Sequence, residues 1–132
     1  MGIPLPEDLK SLIDQPVFVH VATVGADGSP HNTVMWVTRE GDRILLNTAA
    51  GRVKWRNLRR DPRLCISLSP VDQPYVNYSI SGRVAEMRTS DGDQVIDGLA
   101  LKYLGKERYP FRAAGEVRVT IVVEALHVAG GE

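Results

Sequence analysis

The stretch Asn47–Pro62, NTAAGRVKWRNLRRDP, runs from the end of an apolar strand through the small residues Ala49, Ala50 and Gly51 into a short basic helix. Asp61-Pro62 stops that helix. Arg52, Lys54, Arg56, Arg59, Arg60 and Arg63 put six of the chain's sixteen Lys and Arg within twelve residues, against the single acid Asp61. The formal net charge is zero, so the cations are concentrated here and not general. Small residues let backbone N–H groups approach an anion at a helix N-terminus, where the dipole also favours negative charge. Strand, small-residue turn and cationic helix therefore read as a phosphate-binding arrangement. Two other readings stay open: a solvated helix whose arginines pair with acids elsewhere, and a cationic edge for nucleic acid.

Outward from this stretch, composition narrows the class. A chain of 132 residues is expected to be one domain, residues 1–132, able to bury a single core. Hydrophobic residues at 43% and charged residues at 24% match a soluble globular protein, and the balanced charge argues against a general polyanion binder. No apolar run reaches the length of a membrane span, and MGIPLPEDLK lacks a signal-peptide core. Pro6 stands where myristoylation requires Ser or Thr. The lone Cys65 excludes an internal disulfide, and the expectation is a cytoplasmic protein. Three scattered histidines and one cysteine make no metal-site spacing.

The remaining elements follow in order. Pro4–Gln15 reads as a short helix with Leu9, Leu12 and Ile13 on one face. Val17–Thr23 alternates as a strand, Gly25–Pro30 turns through Asp27-Gly28, and His31–Thr38 returns. A turn at Gly41-Asp42 leads to Arg43–Thr48, and these three strands are expected to form an antiparallel meander. Past the basic helix come a strand at Leu64–Ser69 and a long one at Tyr75–Met87, with a bulge at Gly82. A helix from Ser90 or Asp91 to Leu104 precedes a last strand within Gly115–Val128. Six strands with short peripheral helices indicate a mainly β, antiparallel small barrel.

No nucleophile–base constellation, phosphate loop, zinc motif or dinucleotide fingerprint is present. His20 and His127 sit in β patterns and read as structural, and His31 follows a turn. Any reactivity would then come from a cofactor. Asn32, Val34 and Trp36 alternate onto one strand face and can line one groove; Trp36 suits either a ring stack or a dimer interface. On the basic helix Lys54, Asn57 and Leu58 share a face, so Lys54 and Asn57 can meet one phosphate, with Arg52 at the helix entry. Arg59, Arg60 and Arg63 read as solvated or paired.

The order of elements, and above all Arg52, Lys54, Asn57, Leu58, Asp61 and Pro62 in an R-x-K-x-x-N-L-x-x-D-P run, resembles the pyridoxamine 5′-phosphate oxidase-like split β-barrel family. The likeness spans essentially the whole chain, from the Val17–Val37 hairpin to the last strand, and is strongest to compact reductases that use the deazaflavin coenzyme F-420. It implies a six-stranded split barrel, a homodimer, and a flavin-type ring in each groove between subunits. It also implies hydride transfer from the reduced deazaflavin to a conjugated electrophile of enone, quinone or tetrapyrrole type. Carried over, Arg52, Lys54 and Asn57 would hold the cofactor phosphate. Thr48, Ala49, Gly51 and the Asn32–Trp36 strand would line the ring and its chain, and Tyr75 and Tyr78 would close the pocket from the partner. The ending LHVAGGE carries nothing like the Arg/His/Trp-rich substrate segment of pyridoxamine phosphate oxidases proper, so vitamin B6 oxidation is not expected.

The nearest rival is an FMN-binding protein on the same fold. A haem-binding barrel would need His20 or His127 as a ligand, and a nucleic-acid barrel would want aromatics among the cations, where only Trp55 stands.

Overall fold

Alternating apolar and small residues make strands here, and β-branched residues dominate the last of them. A computed structural model describes residues 2–131. The elements are α1 (Glu7–Ile13), β1 (Val19–Val24), β2 (Pro30–Met35), β3 (Thr38–Glu40), β4 (Arg43–Ala49), α2 (Val53–Arg60), β5 (Arg63–Leu68), β6 (Tyr78–Arg88), α3 (Gly92–Leu104) and β7 (Arg118–Gly130). All seven strands join one antiparallel sheet in the order β2-β1-β5-β6-β7-β4-β3.

This corrects the six-strand expectation. The segment His31–Thr38 is not one strand: the ladder stops at Met35 and resumes at Thr38, leaving Trp36 and Val37 outside it. The two pieces pair at opposite edges, β2 with β1 and β3 with β4. No ladder joins β2 to β3, so hydrogen bonds do not close the sheet into a barrel. Nor do the first strands form a meander, because β4 pairs with β7 over seven residue pairs and never with β2. The physical reason is the break at Trp36-Val37: it sends β3, still paired with β4 on one edge, to the far side of the sheet from β2, and β7 takes the other edge of β4. The strand assigned to Tyr75–Met87 begins later, at Tyr78, since Gln73–Val76 is a turn closed by a Val76 N–H to Gln73 carbonyl bond. The first helix is shorter than Pro4–Gln15, running from Glu7 after Pro6 at its N-cap.

The register shifts between Ser81 and Gly82, where a Cβ would lie 2.7 Å from the Glu124 carbonyl oxygen. Glycine there lets two backbones approach and bends β6. The main core gathers Ile44, Leu46, Ile66, Ile80, Ile121 and Val123 inside the curved sheet, capped by Leu9, Leu12 and Ile13 of α1. Each such side chain contributes about 1.5–3 kcal/mol by leaving water. On the other face of β4 and β7, Leu45 opposite Val122 and Asn47 opposite Thr120 are also buried, beneath α3 with its buried Ile96, Leu99 and Ala100. Both faces of β4 are therefore covered, which explains its unbroken burial from Ile44 to Ala49.

Tyr78 belongs to this core. It is buried, and its hydroxyl donates to Asp8 Oδ2 at 2.6 Å, tying β6 to α1. That bond, followed by burial, pushes the phenol up to about 12 from its ordinary 10.0. A raised folded-state value means the native protein holds this proton more tightly, so the associated stability is complete below pH 10 and lost as pH rises toward 12. Tyr78→Phe is expected to lower the melting midpoint by about 2–6 °C at pH 8. Melts of both proteins from pH 8 to 12 check this, and the gap between them should shrink above pH 10.

Candidate functional site

The end of β2, the N-terminus of α2, α3 and the loop before β7 surround a cavity of about 300 Å³. One wall is aromatic, with Phe18, Trp36, Tyr109 and Phe111; Val34, Ile96 and Leu99 add aliphatic surface. Trp36 lies flat on Tyr103, with centroids 5.0 Å apart and planes 7° apart, and Tyr109 meets it edge-on at 6.1 Å. The charged residues lining the cavity are all cations: Arg52, Lys54 and Arg118.

Two of these cations are anchored within the protein. Arg118 is only 4% exposed; its Nε donates to Asn47 Oδ1 at 3.0 Å and its Nη1 to Glu116 Oε1 at 2.8 Å, and its guanidinium lies 5.1 Å from the Tyr109 ring centre. Asn47 in turn donates to the Gly92 carbonyl at 2.9 Å, so β4, α3 and β7 are braced through one amide. Glu116 also faces Arg52 Nη2 at 3.6 Å, and Arg118 above all holds its carboxyl below the usual range. Lys54 differs. It is half-buried and has no ion pair or side-chain hydrogen bond among the described residues, and burial first, then Arg52 and Arg118, pulls its ammonium below the ordinary lysine value. Glu116 pairs with Arg118 and Arg52, and Lys54 is left without a carboxylate among the described residues.

The other cations of the basic stretch are engaged elsewhere. Arg56 donates to the Gly51 carbonyl, Arg59 sits over Trp55, and Arg60 binds Asn57 Oδ1 and the Val24 carbonyl. Arg63 pairs with Asp61, which it holds down to about 2. The helix is thus a partly solvated structural element in which Lys54 is unpartnered among the described residues.

Of the residues singled out in the sequence, Val34, Trp36, Arg52 and Lys54 meet at the cavity. Asn32 shares the exposed face of β2 but does not reach the lining. Thr48 and Ala49 are buried within the sheet, and Gly51 occupies a turn at φ 95°. Asn57 does not point with Lys54 at a common ligand. It is buried, donating to Thr23 Oγ1 at 3.0 Å and accepting from Arg60, and so staples α2 to β1. Tyr78 lies in the core, and Tyr75 is 94% exposed on the Gln73–Val76 turn, away from the lining. Neither His20 nor His127 lines the cavity.

Met35, within the expected Asn32–Trp36 strand, also lines the cavity, and the lining residues that sequence reading missed are Phe18, Asn47, Ile96, Leu99, Tyr109, Phe111 and Arg118. Arg118 carried a signal, being a charge inside the otherwise apolar run VRVTIVV. Tyr109-Pro-Phe111, two aromatics in a loop, was another.

No helix among the described residues is long and apolar enough to cross a membrane, and no three potential metal ligands cluster there. The comparison with curated proteins gives no match. A solved F420 reductase is 27% identical, superposes with a TM-score of 0.84, and aligns over 95% of this chain and 98% of its own. The conserved hypothetical protein Rv2991 from Mycobacterium tuberculosis shows the same fold at 24% identity and TM-score 0.74, over 96% of this chain and 84% of its own. HupZ of Group A Streptococcus does so at 15% identity and TM-score 0.69, over 97% and 98%. The pyridoxamine 5′-phosphate oxidase family model matches residues 5–129, nearly the entire chain, and the protein belongs to that family.

Proposed function

We propose that the protein is an oxidoreductase that binds the reduced deazaflavin coenzyme F-420 at this cavity and passes a hydride to a conjugated electrophilic small molecule. The observation that carries the reading is the unpartnered, half-buried Lys54 beside Arg52 and Arg118, opposite an aromatic wall. An anion attached to a flat ring suits that donor set: the cations take the phosphate, and Trp36 offers a π-face to the ring. The 27% identity to an F420 reductase across the whole chain supports the deazaflavin.

When bound, the reduced deazaflavin supplies a hydride in place of one-electron chemistry. Lys54 and Arg52 would hold its phosphate, and Trp36 and Val34 would orient the ring. Phe18, Val34 and Phe111, all more than half exposed at the cavity, suit cover by a second copy of the chain, which would exclude water. Among the described residues no carboxylate, histidine or cysteine lines the cavity, and in this reading solvent can deliver the proton.

Lys54→Ala tests the assignment. Loss of one charge-assisted phosphate contact costs about 1.5–3 kcal/mol, or roughly 10–150-fold in affinity, with the melting midpoint little changed. Fluorescence titration of parent and variant with coenzyme F-420 and with FMN measures it. Unchanged affinity in the variant removes Lys54 from the clamp, and tighter FMN binding by the parent moves the protein to flavin chemistry.

A further inference from the structure

Trp36 and Val37 lie where the two edge strands β2 and β3 meet in the chain and no ladder continues. Val37 is buried, so unpaired main-chain groups there would be costly. Both are satisfied, by side chains of α3: the Val37 N–H donates to Tyr103 Oη at 3.1 Å, and the Val37 carbonyl accepts from Lys102 Nζ at 2.7 Å. The Tyr103 hydroxyl also donates to the Val17 carbonyl, and Lys102 also donates to the Ile13 carbonyl at the end of α1. The last turn of α3 therefore takes the place of a missing strand, joining the segments around Ile13, Val17 and Val37. The Tyr103 ring meanwhile lies under the Trp36 indole, almost parallel to it, with Phe18 5.7 Å away.

From this arrangement we infer that Tyr103 is a positioning residue for the proposed ligand site, fixing the Trp36 indole as a flat plate in the cavity wall. The hydroxyl locks the phenol ring to the backbone on both sides of the gap, and the locked ring sets the plane of the indole. A pre-set plate spares a ligand the cost of ordering that side chain, which for one immobilised side chain amounts to about 2–12-fold in affinity. The inference rests on the reading of Trp36 as part of a ligand site, although Tyr103 itself does not line the cavity.

The test uses the full chain with Trp55→Phe, so that Trp36 is the only indole. In that background Tyr103→Phe, which keeps the ring and removes the tether, is compared with the parent and with Lys54→Ala. Tyr103→Phe is expected to raise acrylamide quenching of Trp36 about twofold or more in the ligand-free protein and to weaken coenzyme F-420 about 2–12-fold. Lys54→Ala should weaken the coenzyme while leaving Trp36 quenching unchanged. A folded Tyr103→Phe protein whose Trp36 is as shielded as the parent's overturns the inference, even if its melting midpoint falls. So does increased quenching without any loss of affinity in a parent that binds. A parent that binds neither coenzyme F-420 nor FMN defeats the functional reading, and the ligand-free quenching still decides whether Tyr103 holds the indole. If Tyr103→Phe does not fold, the anisotropy decay of Trp36 in the folded, ligand-free Trp55→Phe protein decides instead: a fixed indole shows no sub-nanosecond local rotation, and a freely rotating one overturns the inference.

Discussion

Gly92→Ala is expected to destabilise the protein by on the order of 3–4 kcal/mol, combining an overpacked contact with the loss of a buried hydrogen bond. A Cβ on Gly92 would stand 2.0 Å from the Arg118 carbonyl oxygen and 2.5 Å from its carbon. Those are main-chain atoms of β7, paired with β4 at this point, and they cannot swing aside. The first turn of α3 would have to lift instead. That movement stretches the bond from Asn47 Nδ2 to the Gly92 carbonyl and loosens Ile96 and Leu99 from β4 and β7. Gly98→Ala in the same helix is the control, because a Cβ there meets nothing within 4 Å. It should be neutral or stabilising by up to about 1 kcal/mol, as alanine is the better helix former. Urea unfolding of both variants decides the matter, and equal midpoints would show that α3 is not packed this closely on β7.

Arg118→Met should cost about 3–5 kcal/mol, the penalty for removing one partner of a buried ion pair. The change strands Glu116, whose side chain is 8% exposed and whose remaining cation, Arg52, is 3.6 Å away. It also takes the Nε donor from Asn47 Oδ1 beside the cavity. The double variant Arg118→Met, Glu116→Gln removes the orphaned charge and is expected to recover part of the loss. Urea unfolding of the two single variants and the double closes the cycle. An additive double variant would mean that the pair is not coupled. Both proteins should bind an anionic ring ligand more weakly than the parent, since the cavity loses one of its three cations.

Much of the architecture was legible because short-range physics controls it. The 2-residue period marks β1 and β5, Gly105 stops α3 in the left-handed region at φ 70°, and the close approach at Gly82 demands a residue without Cβ. The break at Trp36-Val37 was not legible. Those residues continue an apolar, β-prone run, and what interrupts it is a pair of side chains more than sixty residues away, Lys102 and Tyr103. Pairing order escaped for a related reason, since a strand's period does not say which neighbour it joins. Hence the expected meander gave way to β4 beside β7.

At the cavity the division falls between residue type and partner. The run R-x-K-x-x-N-L-x-x-D-P was enough to find the cationic helix and to name the family, because helix stops, small-residue turns and clustered charge are local properties of the chain. The sequence by itself determined the strand-rich fold, the basic element and the absence of a nucleophile–base motif. Which cation stays free was decided only by the tertiary structure. Asn57 turns inward to Thr23, Arg118 arrives from β7 to meet Asn47 and Glu116, and Lys54 is left half-buried without an anion. Whether a charge is paired depends on what folding brings to within about 4 Å of it, and at this site those partners come from distant parts of the chain.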